Sequence, residues 1–341
     1  MSTLNTKHYL AAAFVCLLAG LGVGYYFFFT NFLNSSHPAE IYIDADDTAD
    51  SVYAKLDTLA KRAPMSAFRT LANHYSYPTR LHTGHYVLEP GETAIDVFKK
   101  LKNAQQTPVM LTVPSTRTMP RMAKLLSDRL MLDSTTIATA LLDSAYCAQI
   151  GYTTATVPAL FIPDTYEVYW NMSIDRLMDR MKKEHDAYWT RERQQKAEAI
   201  GLTPIEVATL ASIIDEETAN DGEKPMIAGM YLNRLKKGML LQADPTVKFA
   251  LQDFGLRRIL NKHLTADSPY NTYRYKGLPP GPIRVAGTVS MNAVLNPVQH
   301  DFLYMCAKED FSGTHNFART LAEHTANARR YQQALNEKGI K

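Results

Sequence analysis

TPIEVATLASIIDEETANDG, residues 203–222, is the segment around which the chain is organised. It opens as a marked helix. Thr203 is placed to N-cap, Pro204 takes the first helical position, and Glu206 completes a capping box. Val207, Leu210, Ile213 and Ile214 recur at helical spacing, so one stripe faces a core. Glu217 follows Ile213 by four residues and Ile214 by three and so extends that stripe, whereas Glu216 points about 100° away. A carboxyl at the end of an apolar stripe is partly desolvated, which raises its pKa and keeps it protonated as a potential general acid. The competing reading is a solvated acidic turn, the common fate of Asp/Glu clusters. What favours the first lies downstream.

Working outward, the chain of 341 residues is 46% hydrophobic and 21% charged, enough for two domains with cores of their own. A net charge of +3, with no Lys/Arg stripe interleaved by aromatics, argues against a nucleic-acid partner. Residues 9–29, YLAAAFVCLLAGLGVGYYFFF, carry no charge and are long enough to cross a bilayer once. Lys7 precedes the run, and Glu40, Asp44, Asp46 and Asp47 follow it. The positive-inside rule therefore predicts a cytoplasmic tail over 1–8, a span over 9–29 and the remainder outside. Bulky Tyr25 to Phe29 at the end of the run favours a retained anchor over a cleaved signal peptide. Cys147 and Cys306 outside the run read either as a pair or as two small buried hydrophobes, and no Cys/His spacing suggests a metal site.

Residues 40–132 contain an internal repeat. EIYIDADDTADSVYAKL, HYVLEPGETAIDVFKKL and MLTVPSTRTMPRMAKLL superimpose without gaps. Each has an apolar strand ending at Ile43, Leu88 or Val113, then a Thr five residues on (Thr48, Thr93, Thr118) placed as a helix N-cap. Apolar pairs follow at helical spacing: Val52 and Leu56, Val97 and Leu101, Met122 and Leu126. This predicts a small α/β module over 30–132. The strand–turn–Thr–helix pattern resembles LysM modules, which bind N-acetylglucosamine polymers; a spacer module without ligand is the alternative. Residues 133–149 then read as one helix and 174–199 as a long charged one stopped by Gly201.

Downstream of the central helix, motifs crowd. MIAGMYLNRL continues as a helix broken at Gly238, and Asp244-Pro245-Thr246 reads as a turn or helix start. The polar set Asn233, Arg234, Gln242, Asp244 and Thr246 results. SPYNTYRYKGLPPGPI, residues 268–283, adds Tyr270, Asn271 and Tyr273, and its rigid Pro/Gly loop reads as a cleft wall or a plain structural loop.

Taken in order, ASIIDEET, YLNRL, GMLLQADPTV, YNTY, GLPPGPI and HNFARTLAEH (residues 315–324) resemble the endolytic murein transglycosylase family, MltG/YceG. The resemblance covers residues 161–324, and the anchor and repeat extend the shared layout to nearly the whole chain. Two departures occur: the family shows Glu or Gln where this chain has Asp215, and often a base where it has Glu216. The resemblance implies an α+β fold with a transmembrane helix, a LysM-like module and a larger mixed α/β catalytic domain over 133–341. It implies a lytic transglycosylase of nascent peptidoglycan strands, single-pass in a bacterial inner membrane, working beside cell-wall synthases of the penicillin-binding class. Glu217 is the expected catalytic acid. Gln242, Asn271, Tyr273, Asn233, Thr246 and Tyr270 are expected to bind sugar, with Asp215, Arg234 and Asp244 as structural support. No cofactor or metal is expected, since nothing marks a Schiff-base Lys with a phosphate cradle. The rival classes are a non-catalytic peptidoglycan-binding scaffold and a lysozyme-type hydrolase.

Overall fold

Helix caps and strand ends stand where the repeat spacing predicts them in the computed structural model, which describes residues 3–256 and 258–339. Residues 1 and 2 of the expected tail, and 257, 340 and 341 of the expected catalytic domain, lie outside the described residues. The chain divides into two compact units. The first runs to Leu111 and adds Arg129–Met131 and Glu167–Met172; the second takes Thr112–Asp128, Leu132–Tyr166 and everything from Ser173.

In the first unit, helix α1 (Thr3–Phe29) contains a 24-residue apolar stretch, Thr6–Phe29, with a mean hydropathy of 2.0. This one N-terminal apolar helix is consistent with a single-pass anchor. Strand β1 (Ala39–Ile43), helices α2 (Ala49–Leu59) and α3 (Arg62–His74), and strand β2 (Gly84–Leu88) follow, with β1 and β2 antiparallel and Ile41 opposite Tyr86. Thr48 caps α2 through the amide of Ser51, and Thr93 caps α4 (Ala94–Lys102) through that of Asp96. Ile43, Val52, Leu56, Leu88, Val97 and Leu101 are fully buried together, which explains why the repeat places apolar residues at those offsets. The third strand, β3 (Val109–Val113), pairs with β4 (Asp164–Val168). Its helix α5 (Met119–Ser127), capped by Thr118, belongs to the second unit.

The second unit departs from the expected helices at two points. The single helix expected over 133–149 is two, α6 (Ser134–Leu142) and α7 (Ser144–Gln149). Asp143 between them is extended and accepts from the amide of Tyr146 at 2.6 Å. The charged helix is likewise α8 (Ile174–Tyr188) and α9 (Arg191–Ala199), parted at Thr190, which caps α9. Both breaks follow one physical rule: a short polar side chain that satisfies the amide three residues on competes with continuing the helix.

Then come α10 (Pro204–Glu217), α11 (Lys224–Lys236), α12 (Asp244–Leu251), the short α13 (Asn261–Leu264), α14 (Thr288–Leu295), the hairpin β5 (Tyr304–Ala307) with β6 (His315–Ala318), and α15 (Leu321–Glu337) against that hairpin. Helix α10 is the axis. Its capping box forms as read, but its burial exceeds one stripe: every residue from Val207 to Ile214 is buried. Helices α14, α11, α12 and α9 pack around it, and its two buried hydroxyls are satisfied along the helix, Thr209 on Ile205 O and Ser212 on Thr209 O.

Glycines mark where backbone crosses closely. A Cβ on Gly229 of α11 would lie 2.4 Å from Val298 O, and one on Gly281 would lie 2.0 Å from Ala155 O. The GLPPGPI loop is therefore a clamp. Gly281 presses on residue 155 while the Ile283 amide donates to Ser212 Oγ on α10 at 3.0 Å, and none of 277–283 lines the cavity described next.

Candidate active site

Three successive acids end α10, where the helix dipole is negative and no basic residue stands in the last turn. Like charges at that end oppose folding unless each finds its own partner, and each does. Asp215 Oδ2 accepts the amide of Gly287, the N-cap of α14, at 2.6 Å, while its Oδ1 takes the Ser290 hydroxyl and Lys224 Nζ. Glu216 is gripped by two guanidiniums, Arg117 through Nε and Nη2 at 2.7 and 2.8 Å and Arg284 at 2.9 Å. Glu217 alone turns into a cavity of about 410 Å³.

Glu217 Oε1 accepts the hydroxyl of Tyr231 on α11 at 2.6 Å. Burial pushes the carboxyl up from its ordinary 4.5 to about 7; the Tyr231 hydrogen bond opposes this, Asp244 adds to it, and His315 and Lys248 pull it down. Tyr231 itself is held well above the usual phenol value by burial and by Glu217, so it remains a donor. The group is thus poised to give or take a proton near neutral pH, which is what acid–base work requires.

Among the other expected residues, Gln242, Asp244, Tyr273 and Arg234 line the same cavity. Gln242 is exposed and holds φ +49, a left-handed backbone that a non-glycine residue adopts at a cost. Tyr273 donates to Asp244 Oδ1 at 2.5 Å. Arg234 is buried and bonds the carbonyls of Leu303 and Leu241 at 2.5 and 2.8 Å, so its role is to tie α11 to the segments beside it.

The remaining expected sugar ligands lie elsewhere. Asn271 is fully buried; its amide donates to Leu264 O and Ala266 O, and its carbonyl accepts from the amide of Tyr273, so the side chain is spent on closing its own loop. Thr246 is equally buried, bonded to Ala243 O and Thr272. Asn233 donates to His300 O and Phe302 O, and Tyr270 packs on Phe249 with ring centroids 4.7 Å apart. None of these four, nor Asp215, lines the cavity. Short polar side chains near a bend serve backbone amides and carbonyls first, and spacing alone does not separate that use from ligand binding.

The sequence reading missed Tyr231, His315, Tyr304 and His324 on the cavity wall. Tyr231 stands in an apolar helix register, which reads as core. The two histidines bound the HNFARTLAEH motif, and their polarity there was the available signal. His315 Nδ1 meets Glu223 Oε2 at 2.7 Å, and its own amide donates to Glu223 Oε1 at 2.7 Å. His324 stacks on Tyr304 at 5.4 Å, its pKa lowered by burial and by Arg234. Cys147 and Cys306 are free thiols, and among the described residues no group of His, Cys, Asp and Glu could hold a metal ion.

The comparisons with known proteins agree with one another. An endolytic murein transglycosylase of Bacillus subtilis (strain 168) is 39% identical over 167 residues, 49% of this chain and 45% of that protein. One from Streptococcus pneumoniae (serotype 2, strain D39) is 26% identical over 358 aligned positions, 92% of this chain and 64% of that protein. The chain thus spans less than two thirds of either relative's length. A crystal structure of a yceG-like protein from Listeria monocytogenes superposes with a TM-score of 0.57 at 26% identity, covering 86% of this chain and 99% of that one. The profile of the YceG-like family matches residues 41–330, the full run from β1 through the cavity to α15, and on that match the chain belongs to the YceG-like family.

Proposed function

We propose that this chain is a membrane-anchored lytic transglycosylase that cuts the β-1,4 bond between N-acetylmuramic acid and N-acetylglucosamine inside nascent peptidoglycan strands. Its curated relatives are named endolytic murein transglycosylases, and one observation carries the reading: Glu217 is desolvated to a pKa of about 7 in a cavity whose other lining acid, Asp244, is engaged by the Tyr273 hydroxyl. Glycosidases that use water need a second carboxylate beside the acid. Here the muramoyl 6-hydroxyl replaces water. Glu217 gives its proton to the departing glycosidic oxygen, the C1–O4 bond breaks, O6 attacks C1, and the O6 proton passes to a base of the pocket, for which the newly formed Glu217 carboxylate is one acceptor. The strand is left with a 1,6-anhydro end.

Gln242 and Tyr273, on the cavity wall, are our candidates for binding sugar amides and hydroxyls, with Asp244 and Arg234 holding them in place. The strand–helix–helix–strand of the first unit is assigned to the LysM-like reading, as a holder of the glycan. Helix α1 is assigned to the inner membrane with its N-terminus inside, which keeps the enzyme beside newly made strands and the penicillin-binding synthases that make them. Digestion of uncrosslinked glycan followed by mass spectrometry tests the proposal, because an anhydro end is one water lighter than a reducing end. Wild type should release anhydro-ended fragments and Glu217→Gln should lose on the order of 10²–10⁴-fold in rate. Reducing ends would point to a hydrolase, and glycan retained without cleavage to a binding scaffold.

A further inference from the structure

Glu223 is a buried carboxylate at the N-terminus of α11, 8% exposed, and both of its oxygens are committed to one residue. Oε1 takes the backbone amide of His315 and Oε2 faces its Nδ1, each at 2.7 Å. Burying a carboxylate is costly, and two hydrogen bonds to one histidine fix the ring in position and tautomer. With Nδ1 taken, Nε2 is the ring nitrogen left for a ligand, and it has no hydrogen-bond partner among the described residues. His315 also lines the cavity into which Glu217 turns. A histidine oriented by a buried carboxylate and lining a reaction pocket is an arrangement in which general bases recur on unrelated folds.

We infer that His315, aligned by Glu223, is the base that removes the proton from the muramoyl 6-hydroxyl, so that acid and base are two residues. This rests on the transglycosylase reading and deepens it. The step balances as follows: the Glu217 proton goes to O4 as C1–O4 breaks, the O6–H electrons form O6–C1, and the O6 proton goes to His315 Nε2. One proton transfer from His315 to Glu217, directly or through solvent, restores the starting state. Because O6 enters C1 on the face O4 leaves, both groups must serve the same side of the sugar, as two groups lining one cavity can.

Steady-state release of anhydro-ended fragments by the full-length protein in detergent is the test, with wild type, His315→Gln, His315→Gly and Glu223→Gln side by side and thermal melting of each. Loss of a general base costs on the order of 10²–10⁴-fold. The expected result is a kcat at least about 100-fold lower in His315→Gln, with KM changed less than about threefold. Free imidazole should restore part of the rate in His315→Gly and none in Glu217→Gln. Glu223→Gln should lose about tenfold in kcat. If His315→Gly does not fold, the kcat of the two Gln variants decides. Variants that melt like wild type and cut within about threefold of its kcat would overturn the inference and leave Glu217 as acid and base both, with Glu223–His315 a latch for β6. Wild type that releases no anhydro ends would instead overturn the function proposed above, and this inference with it.

Discussion

At the residue scale, one helix end hands three neighbouring carboxyls to three different fates, and burial raises the pKa of Glu217. The sign of its effect on stability follows. Below pH 4.5 both folded and unfolded chains carry the proton. Between 4.5 and about 7 the unfolded chain ionises while the folded one does not, so this group makes stability fall with pH across that window and contributes a constant cost above it. Raising a carboxyl from 4.5 to about 7 is worth on the order of 3 kcal/mol. Glu217→Gln should therefore melt with wild type at pH 4 and above it at pH 8, a gain in stability purchased with activity. Melting curves at the two pH values check this, and equal shifts at both would refute it. Tyr231→Phe removes the hydrogen bond that holds the same carboxyl down, so its pKa should rise further. The alkaline fall of kcat/KM should then move to higher pH, as a pH–rate profile would show, and a midpoint that stays in place would separate Tyr231 from the acid. Of this site the sequence made Glu217 legible, because its place on an apolar stripe is a matter of helical period. The partners were not legible: Tyr231, Glu223 and His315 come from other elements, and no local pattern couples them to residue 217.

At the scale of elements, caps proved the most readable feature. Thr48, Thr93, Thr118 and Thr203 each start a helix at the residue where spacing put them, because a cap is decided by a hydrogen bond three residues away. Asp143 and Thr190 start helices by the same bond but are not legible as caps, since each lies inside a stretch whose periodicity looks continuous. The GLPPGPI loop was readable as rigid but not as to what it holds. Its place against residue 155 is set by a tertiary contact, and Gly281 is its tightest point, where an added Cβ meets a carbonyl oxygen at 2.0 Å. Gly281→Ala should cost about 2–3 kcal/mol as an overpacking change, which lowers Tm by roughly 5–10 °C. Pro280→Ala, on the exposed neighbour, should change little. Calorimetry of both variants tests the clamp: an alanine tolerated at 281 would mean that the loop is free to move off residue 155.

At the scale of the whole molecule, the question is where the proposed anchor stops and the core of the first unit begins. Helix α1 is exposed from Thr6 to Val23, as a lipid-facing helix would be in water, but Phe27 and Phe28 pack against the core of the first unit. The chain stays tied down beyond the helix: Phe32 and Leu33 are buried, the Phe32 amide donates to Glu92 O at 2.7 Å, and Asn31 bridges to Thr93. Hydropathy alone runs without a break to Phe29 and so places the boundary after the last aromatic, because it measures affinity for an apolar phase and does not distinguish lipid from protein core. The contacts place it about one helical turn earlier. Removing residues 1–24 should therefore release the protein from the membrane fraction with its melting temperature and its activity on soluble glycan intact. Removing 1–29 should release it equally well but strip Phe27 and Phe28 from the core, at a cost of about 2 kcal/mol, since each side chain is only partly buried. Fractionation and melting of the two truncations decide between the boundaries, and identical melting would return Phe27 and Phe28 to the lipid-facing part of the helix.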